Sequence, residues 1–354
     1  MKTYCITGGA GFIGSHLCER LLQLGHRVVC VDNFNDAYDY RIKIRNLLDA
    51  AGIAIPFPFT NKSADLVHLQ KLVNTDQFSL IVADIRHSED MDDVFAHKHI
   101  DTVIHLAAMA GVRPSIEQPL LYEDVNVKGT LTVLEAMRKH GVRHWLCASS
   151  SSVYGNQTKV PFSELDSVDR SISPYAATKK MCEVLAHAYH YLHEINTIML
   201  RFFTVYGERQ RPDLAIHKFA KSLDRGEELT LYGDGSTRRD YTYVGDIIEG
   251  IIGALHYVEQ QDELVYEIVN LGTNRTITLR ELVQQLEAAF GTKARIRRMP
   301  NQPGDVDQTY ADISKANLLF GYNPLTDFET GITKFVTWYR GNTNGQTLDY
   351  STHL

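Results

Sequence analysis

From Lys2 to Phe203, short apolar runs alternate with stretches of helical periodicity. The apolar runs read as strands over Lys2–Thr7, Arg27–Val31, Ser79–Ile85, Asp101–Ala107, Arg143–Ser149 and Thr197–Phe203. Helical stretches separate most of them. That alternation predicts an α/β fold, a Rossmann-like doubly wound parallel sheet covered by helices on both faces. Two helical stretches, near Glu123–His140 and Pro174–His193, carry Val127, Leu131 and Leu134, and Met181, Leu185 and Ala188, at the spacing for packing on the sheet. Beyond Gly207 the pattern loosens, and the strand-like runs shorten to Leu229–Tyr232 and Glu267–Asn270. The expected division is a larger domain over 1–204, joined again by 240–256, a smaller C-terminal α/β domain over 205–340, and a polar, loosely ordered tail over 341–354.

The first run ends in Thr7-Gly8-Gly9-Ala10-Gly11-Phe12-Ile13-Gly14 and opens a helix. Gly8 permits a tight turn, Gly11 the approach of a pyrophosphate to the backbone, and Gly14 close packing of helix on sheet. Phe12 and Ile13 start the helix, whose free N–H groups face the phosphates. The second run ends in Val31-Asp32-Asn33, at the spacing of a carboxylate that holds adenosine ribose hydroxyls. A carboxylate there repels a 2′-phosphate, so NAD is expected over NADP. Two further strand ends suit the same crevice. Asp84 would accept from the adenine amino group with Ile85 over the ring face, and Leu106-Ala107-Ala108 would leave room beside a ribose or the pyrophosphate. Plain strand-end packing is the alternative for both. His105 reads as a core or network residue. The long connection from Asp32 to Ser79 holds a helix-like Tyr40–Ala50, a Pro56-Phe57-Pro58 break and a helix-like Ser63–Val73. It reads as a surface insertion.

Tyr175 and Lys179 lie four apart in Ser-Pro-Tyr-Ala-Ala-Thr-Lys, so on a helix they share a face. Free tyrosine titrates near ~10, too high for a base at neutral pH. An ammonium one turn along and a cationic nicotinamide ring both favour the phenolate. A serine cluster, Ser149 to Ser152, lies upstream. With the glycine turn at the N-terminus, this spacing points to a tyrosine general base working beside a bound nicotinamide dinucleotide.

Composition removes other classes. The net charge of −7, with no long basic stretch, argues against a nucleic-acid partner. The cysteines Cys5, Cys18, Cys30, Cys147 and Cys182 are odd in number and lie in apolar runs, as reduced core residues of a cytoplasmic protein do. Cys182 has a route to reactivity through its closeness to Lys179. No His, Cys, Asp and Glu cluster has metal spacing, and no apolar run reaches membrane-spanning length. Strand-like sequence beginning at Lys2 leaves no signal peptide in front of the fold.

Together, TGGAGFIG, the Asp32 strand end, Ala148-Ser-Ser-Ser-Ser-Val-Tyr-Gly155, Tyr175-xxx-Lys179 and Arg201-Phe-Phe-Thr-Val-Tyr-Gly207 resemble the extended short-chain dehydrogenase/reductases that act on nucleotide sugars. Arg41-Ile-Lys43, Ala110-Gly-Val-Arg113, Arg209-Gln-Arg-Pro-Asp213 and Gln302-Pro-Gly-Asp-Val306 are most similar to the UDP-glucuronate 4-epimerase group. The resemblance implies that Ser150 bonds the sugar 4-hydroxyl, Tyr175 is the base, and Lys179 holds the ribose. It implies that Arg211 and Arg239 meet the UDP diphosphate, that Tyr232 stacks on uracil, and that Asp305 lies near the uridine ribose. It also implies a homodimer formed through a bundle of the two helices near Glu123–His140 and Pro174–His193. One departure is Gln302, where UDP-glucose epimerases place a diphosphate-binding arginine, so more of that task falls to Arg211 and Arg239.

Ser151 and Ser152 replace the Asp and Glu that dehydratases of this family use, and Ser152 replaces a glutamate of UDP-glucuronate decarboxylases. A serine hydroxyl is too weak an acid for those tasks. What remains is epimerisation at C4 through a transient 4-keto sugar, with NAD regenerated and staying bound. Ser151, Ser152 and Thr204 offer neutral hydroxyls to hold a uronate carboxylate out of the alignment that releases CO2. An epimerase of UDP-glucose or UDP-N-acetylglucosamine is the alternative, and a non-catalytic NAD-binding regulator a more distant one.

Overall fold

The computed structural model describes residues 1–55, 57–96, 99–300 and 306–343. The six N-terminal strand expectations appear as β1 (Thr3–Thr7), β2 (Arg27–Asp32), β3 (Phe78–Val82), β4 (Thr102–His105), β5 (His144–Ser150) and β6 (Asn196–Phe202). Seven short strands follow: β7 (Thr204–Tyr206), β8 (Glu228–Tyr232), β9 (Arg238–Arg239), β10 (Tyr241–Tyr243), β11 (Tyr266–Leu271), β12 (Ile277–Thr278) and β13 (Arg295–Met299). The main sheet is parallel throughout and ordered β11-β6-β5-β4-β1-β2-β3. Chain order reverses between β1 and β4, which opens a crevice at the C-terminal ends of those strands.

Period-two alternation feeds two apolar layers. Tyr4 and Ile6 of β1, Leu146 and Ala148 of β5, and Ile198 and Leu200 of β6 enter one cluster; Cys5, Trp145, Cys147 and Met199 enter the other. The helices of the N-terminal part are α1 (Phe12–Gln23), α2 (Tyr40–Ala50), α3 (Lys62–Val73), α4 (Ser88–Ala96), α5 (Val112–Glu117), α6 (Pro119–Tyr122), α7 (Gly129–His140) and α8 (Pro174–His193). A π-helical turn over Glu123–Lys128 leads into α7. Further on come α9 (Ala215–Arg225), α10 (Val244–Glu259), α11 (Leu279–Phe290), α12 (Ser314–Phe320) and α13 (Phe328–Thr343). Helix α10 packs on α1 and on β5 and β6. The smaller lobe pairs β8 with β13 and β9 with β12, with α9, α11 and α13 packed together beside them.

Four expectations change. Glu267–Asn270 does not belong to the smaller lobe: β11 pairs with β6 over six residues, and its Val269 and Leu271 enter the main core. The connection between Asp32 and Ser79 is not a surface insertion, because Ile44, Leu47 and Leu48 of α2 and Leu69 and Val73 of α3 are buried in that same core. The apolar rows of α7 and α8 do not all pack on the sheet. Leu134 is buried, but Leu131 is 37% and Met181 47% exposed, and Ala188 is exposed as well. Residues 341–343, expected in a loose tail, continue α13, and the rest of the tail lies outside the described residues.

Candidate active site

The glycine turn is built by close approach. Gly8 sits at φ +71, a conformation that side chains disfavour, and a Cβ there would fall 2.8 Å from the Ala107 nitrogen. A Cβ on Gly14 would fall 2.2 Å from the Gly8 carbonyl oxygen, so α1 can begin directly against the turn only with glycine. Gly11 is the N-cap of α1 and supplies no side-chain cap, and the first turn holds no acidic residue. The α1 N–H groups, with Phe12 and Ile13 at their start, thus remain available to an anion. These features fit a dinucleotide pyrophosphate.

Asp32 ends β2 beside this turn. Its carboxylate accepts from the Ala10 N–H at 3.2 Å, the Phe34 N–H at 2.8 Å and Lys43 Nζ at 3.0 Å. Asn33 donates to Asp84 Oδ2 at 2.9 Å, tying the β2 and β3 ends together. Asp84 also accepts from Arg86 Nε at 3.0 Å, Nη2 at 2.8 Å and the Arg86 N–H at 3.0 Å. Burial alone would raise its carboxyl, and the Arg86 hydrogen bonds outweigh that and hold it well below the usual range. In place of an open acceptor for an adenine amino group, this carboxylate is filled by its own loop. Ile85 is buried, and its Cδ1 occupies the space that Gly129 leaves by lacking a side chain. Leu106, Ala107 and Ala108 line the end of β4 half-buried. His105 bridges Thr7 Oγ1 at 2.7 Å and Thr130 Oγ1 at 3.1 Å, which makes it a network residue.

The β5, β6 and α8 ends gather the second group. Ser173 caps α8 by accepting from the Ala176 N–H at 3.2 Å, and Pro174 begins the helix. Lys179 is buried and donates to the Ala148 carbonyl at 2.8 Å, which sets α8 over the β5 end. Ser150 Oγ accepts from the Ser152 N–H at 3.1 Å, at the start of a 3-10 turn over Ser151–Tyr154. Ser150 lies opposite Phe202, the last pair of the β5–β6 register, and the chain turns out of the sheet after it. The Thr204 N–H donates to the Asp240 carbonyl at 3.0 Å.

A chain of contacts runs outward from Tyr175. The Tyr122 ring meets it edge-on, centroids 6.2 Å apart, and the Tyr122 hydroxyl donates to the Ala110 carbonyl at 3.1 Å. Arg211 Nη2 donates to the same carbonyl at 3.3 Å and to Asp213 at 2.6 Å. Asp213 lines a cleft of about 540 Å3, together with Tyr232, Arg239, Arg113, Lys218 and Lys221. The Arg113 guanidinium lies 4.9 Å over the Tyr232 ring. Tyr232 and Arg239 therefore share one cleft, whereas Arg211 stands at its edge, closed onto Asp213. Asp305, with Gln302, lies outside the described residues.

Several residues of the site carried no signal as single letters. Asn126, on the π-helical turn, bonds the Met109 backbone at 2.8 and 3.0 Å and Thr178 at 3.0 Å, joining the loop after β4 to α8. Tyr122, Lys218 and Lys221 likewise carried none, and Lys43 stood out only as a letter of the Arg41-Ile-Lys43 motif, without a role. All five cysteines are free and buried, and burial pushes the Cys182 thiol up, which removes its route to reactivity. Among the described residues no group of three or more His, Cys, Asp and Glu forms a metal site, and no helix is long and apolar enough to cross a membrane.

The profile of the NAD dependent epimerase/dehydratase family matches residues 4–272. The chain belongs to this family. It is 38% identical over 343 residues to a UDP-glucuronate 4-epimerase of Thermodesulfobacterium geofontis, covering 97% of each chain. Its fold is similar to the UDP-glucuronic acid 4-epimerase of Bacillus cereus, solved with UDP-glucuronic acid and NAD, at a TM-score of 0.82 and 32% identity over 96% of this chain and 99% of that one. The UDP-glucose 4-epimerase of Thermus thermophilus, solved with NAD, gives 0.79 and 30% over the same shares.

Proposed function

We propose that this protein is an NAD-dependent UDP-sugar 4-epimerase whose substrate is UDP-glucuronate. One juxtaposition supports the reading: Lys179, one turn along α8 from Tyr175, donates to the Ala148 carbonyl two residues before Ser150, with serines at 151 and 152 where elimination or decarboxylation would need acids. The nearby Glu183 does not replace them, since its carboxylate is buried against Arg201. The two comparisons named for UDP-glucuronate support the choice of sugar.

In this reading Ser150 holds the sugar 4-hydroxyl and Tyr175 takes its proton as C4 becomes a ketone. Lys179, fixed by the Ala148 carbonyl, holds the ribose and supplies positive charge beside the phenolate. NAD, when bound, accepts the hydride and returns it. The 4-keto sugar turns, takes the hydride back at C4 on its other face, and regains its hydroxyl proton from Tyr175. Ser151, Ser152 and Thr204 hold the carboxylate away from the carbonyl π system, because a β-keto acid aligned with it loses CO2. Arg211 and Arg239 meet the diphosphate, Arg211 by giving up part of its contact with Asp213, and Tyr232 stacks on the uracil. The turn built on Gly8, Gly11 and Gly14 holds the pyrophosphate of the cofactor, and Asp32 its adenosine ribose.

The exposed row Met181, Val184, Ala188, Tyr191 on α8 follows one helix face. It supports a homodimer through α7 and α8, and light scattering on the purified protein measures it. The buried free thiols suit a reducing cytoplasm. The test of function is incubation with UDP-glucuronate, UDP-glucose and UDP-N-acetylglucosamine, without added NAD, with products identified by NMR. UDP-galacturonate from the first alone is the expected result. Conversion of a neutral sugar instead would make this a hexose epimerase.

A further inference from the structure

Asp32 does not stand alone at the end of β2. Lys43 of α2 reaches its Oδ1 at 3.0 Å, and the two side chains are only 7% and 4% exposed. The same Nζ donates to Asn35 Oδ1 at 3.2 Å and lies 5.4 Å from the centre of the Tyr38 ring. Its location is set by α2, which is pinned to the glycine turn by Asn46 Nδ2 on the Ala10 carbonyl at 3.1 Å. This is a lysine held in place from two sides, not one that swings at the surface. A buried ammonium without a partner is costly, and so is a buried carboxylate, so each neutralises the other.

The pairing changes what Asp32 can do. A lone carboxylate turns away a 2′-phosphate by repulsion. Here the carboxylate and ammonium together carry no net charge, and the cation lies within hydrogen-bond reach of the group that reads the ribose. We infer that Lys43 is a specificity-determining residue of the cofactor site: a built-in cation for a 2′-phosphate, which Asp32 keeps occupied. Removing the Asp32 charge alone, with no basic residue added, then turns the site toward NADP. The inference rests on the reading of this crevice as a dinucleotide site with Asp32 at the ribose.

The test measures binding, not turnover. NAD and NADP affinities are determined by calorimetry on cofactor-stripped protein, for the unchanged chain, Asp32→Asn, Lys43→Met and the double variant. Asp32→Asn should raise NADP binding relative to NAD by about tenfold or more, the size of one charge contact in a partly screened site. Adding Lys43→Met to it should abolish that gain. Lys43→Met alone should lower the NADP share further, because Asp32 is then an unopposed anion; this arm decides the matter even if Asp32→Asn does not fold. An equal gain with and without Lys43, or an unchanged ratio in Lys43→Met, overturns the inference. Failure of the unchanged chain to bind either dinucleotide would instead overturn the reading of the crevice on which it rests.

Discussion

Glu183 of α8 and Arg201 of β6 meet in two hydrogen bonds, Nε to Oε1 at 2.8 Å and Nη2 to Oε2 at 2.9 Å, with about 1% of either side chain exposed. Glu183 also accepts from Ser149 Oγ at 2.7 Å, next to Ser150, and it lies one turn beyond Lys179. Arg201 donates to the Tyr154 hydroxyl at 3.0 Å, and that hydroxyl donates to Asn270 Oδ1 at 2.7 Å. One buried pair thus fixes α8, the serine turn, β6 and β11 against each other. Removing one partner leaves the other charge uncompensated. Glu183→Gln is expected to cost about 3–5 kcal/mol of stability, read from urea unfolding. A loss below about 1 kcal/mol, the range of exposed pairs, would mean that water reaches Arg201.

Buried histidines give the fold an acid limit. Burial first, and for His105 the Lys179 charge next, pushes His105 down to about 3; burial pushes His217 down to about 4. An unfolded histidine titrates near ~6.5, so the unfolded chain takes up protons that the folded one refuses. Stability present above that value is lost as pH falls toward the lowered ones. At pH 5 each residue should cost about 2 kcal/mol, from ~1.36 kcal/mol per pH unit below ~6.5. Urea unfolding at pH 7 and pH 5 measures the loss, and His217→Gln should shrink it. The same loss in that variant would assign the acid limit to other groups.

Much of this was legible in the letters, and the exceptions have physical causes. The six N-terminal strands and the glycine turn are local patterns, set by period-two burial and by φ. Tyr266–Leu271 joins the main sheet through pairing with β6, which its own letters do not encode. Lys43 is visible in the letters only as part of the Arg41-Ile-Lys43 motif, and only the fold of α2 against Ala10 brings it to Asp32. The same holds for Asn126, whose partners Met109 and Thr178 lie 17 and 52 residues away. Asp84 was legible as a strand-end carboxylate, but its filling by Arg86 depends on how the following turn closes.

Tyr175→Phe keeps the ring against Tyr122 and removes only the proton acceptor. Epimerisation should fall by ~10²–10⁴-fold, the usual cost of a positioned acid–base group. UDP-glucuronate should still bind, as followed by calorimetry. Near-normal turnover would exclude Tyr175 as the base.

Thr204→Val keeps the side-chain shape and deletes a donor. One lost hydrogen bond to a carboxylate is worth roughly 1.5–3 kcal/mol. Weaker binding of UDP-glucuronate, little change for UDP-glucose, and a larger share of decarboxylated 4-keto-pentose are expected by mass spectrometry. Equal losses for both sugars, without CO2 release, would mean that this threonine does not read the carboxylate.

The central claim is oxidation and re-reduction at one carbon within a single bound cycle, with Tyr175 moving only a proton. It is tested most directly with UDP-glucuronate carrying deuterium at C4, incubated with the purified protein in ordinary water without added NAD and followed by NMR. The account predicts UDP-galacturonate that retains the deuterium at C4. Product carrying solvent hydrogen at C4, or accumulation of deuterated NADH without a second sugar, would contradict it.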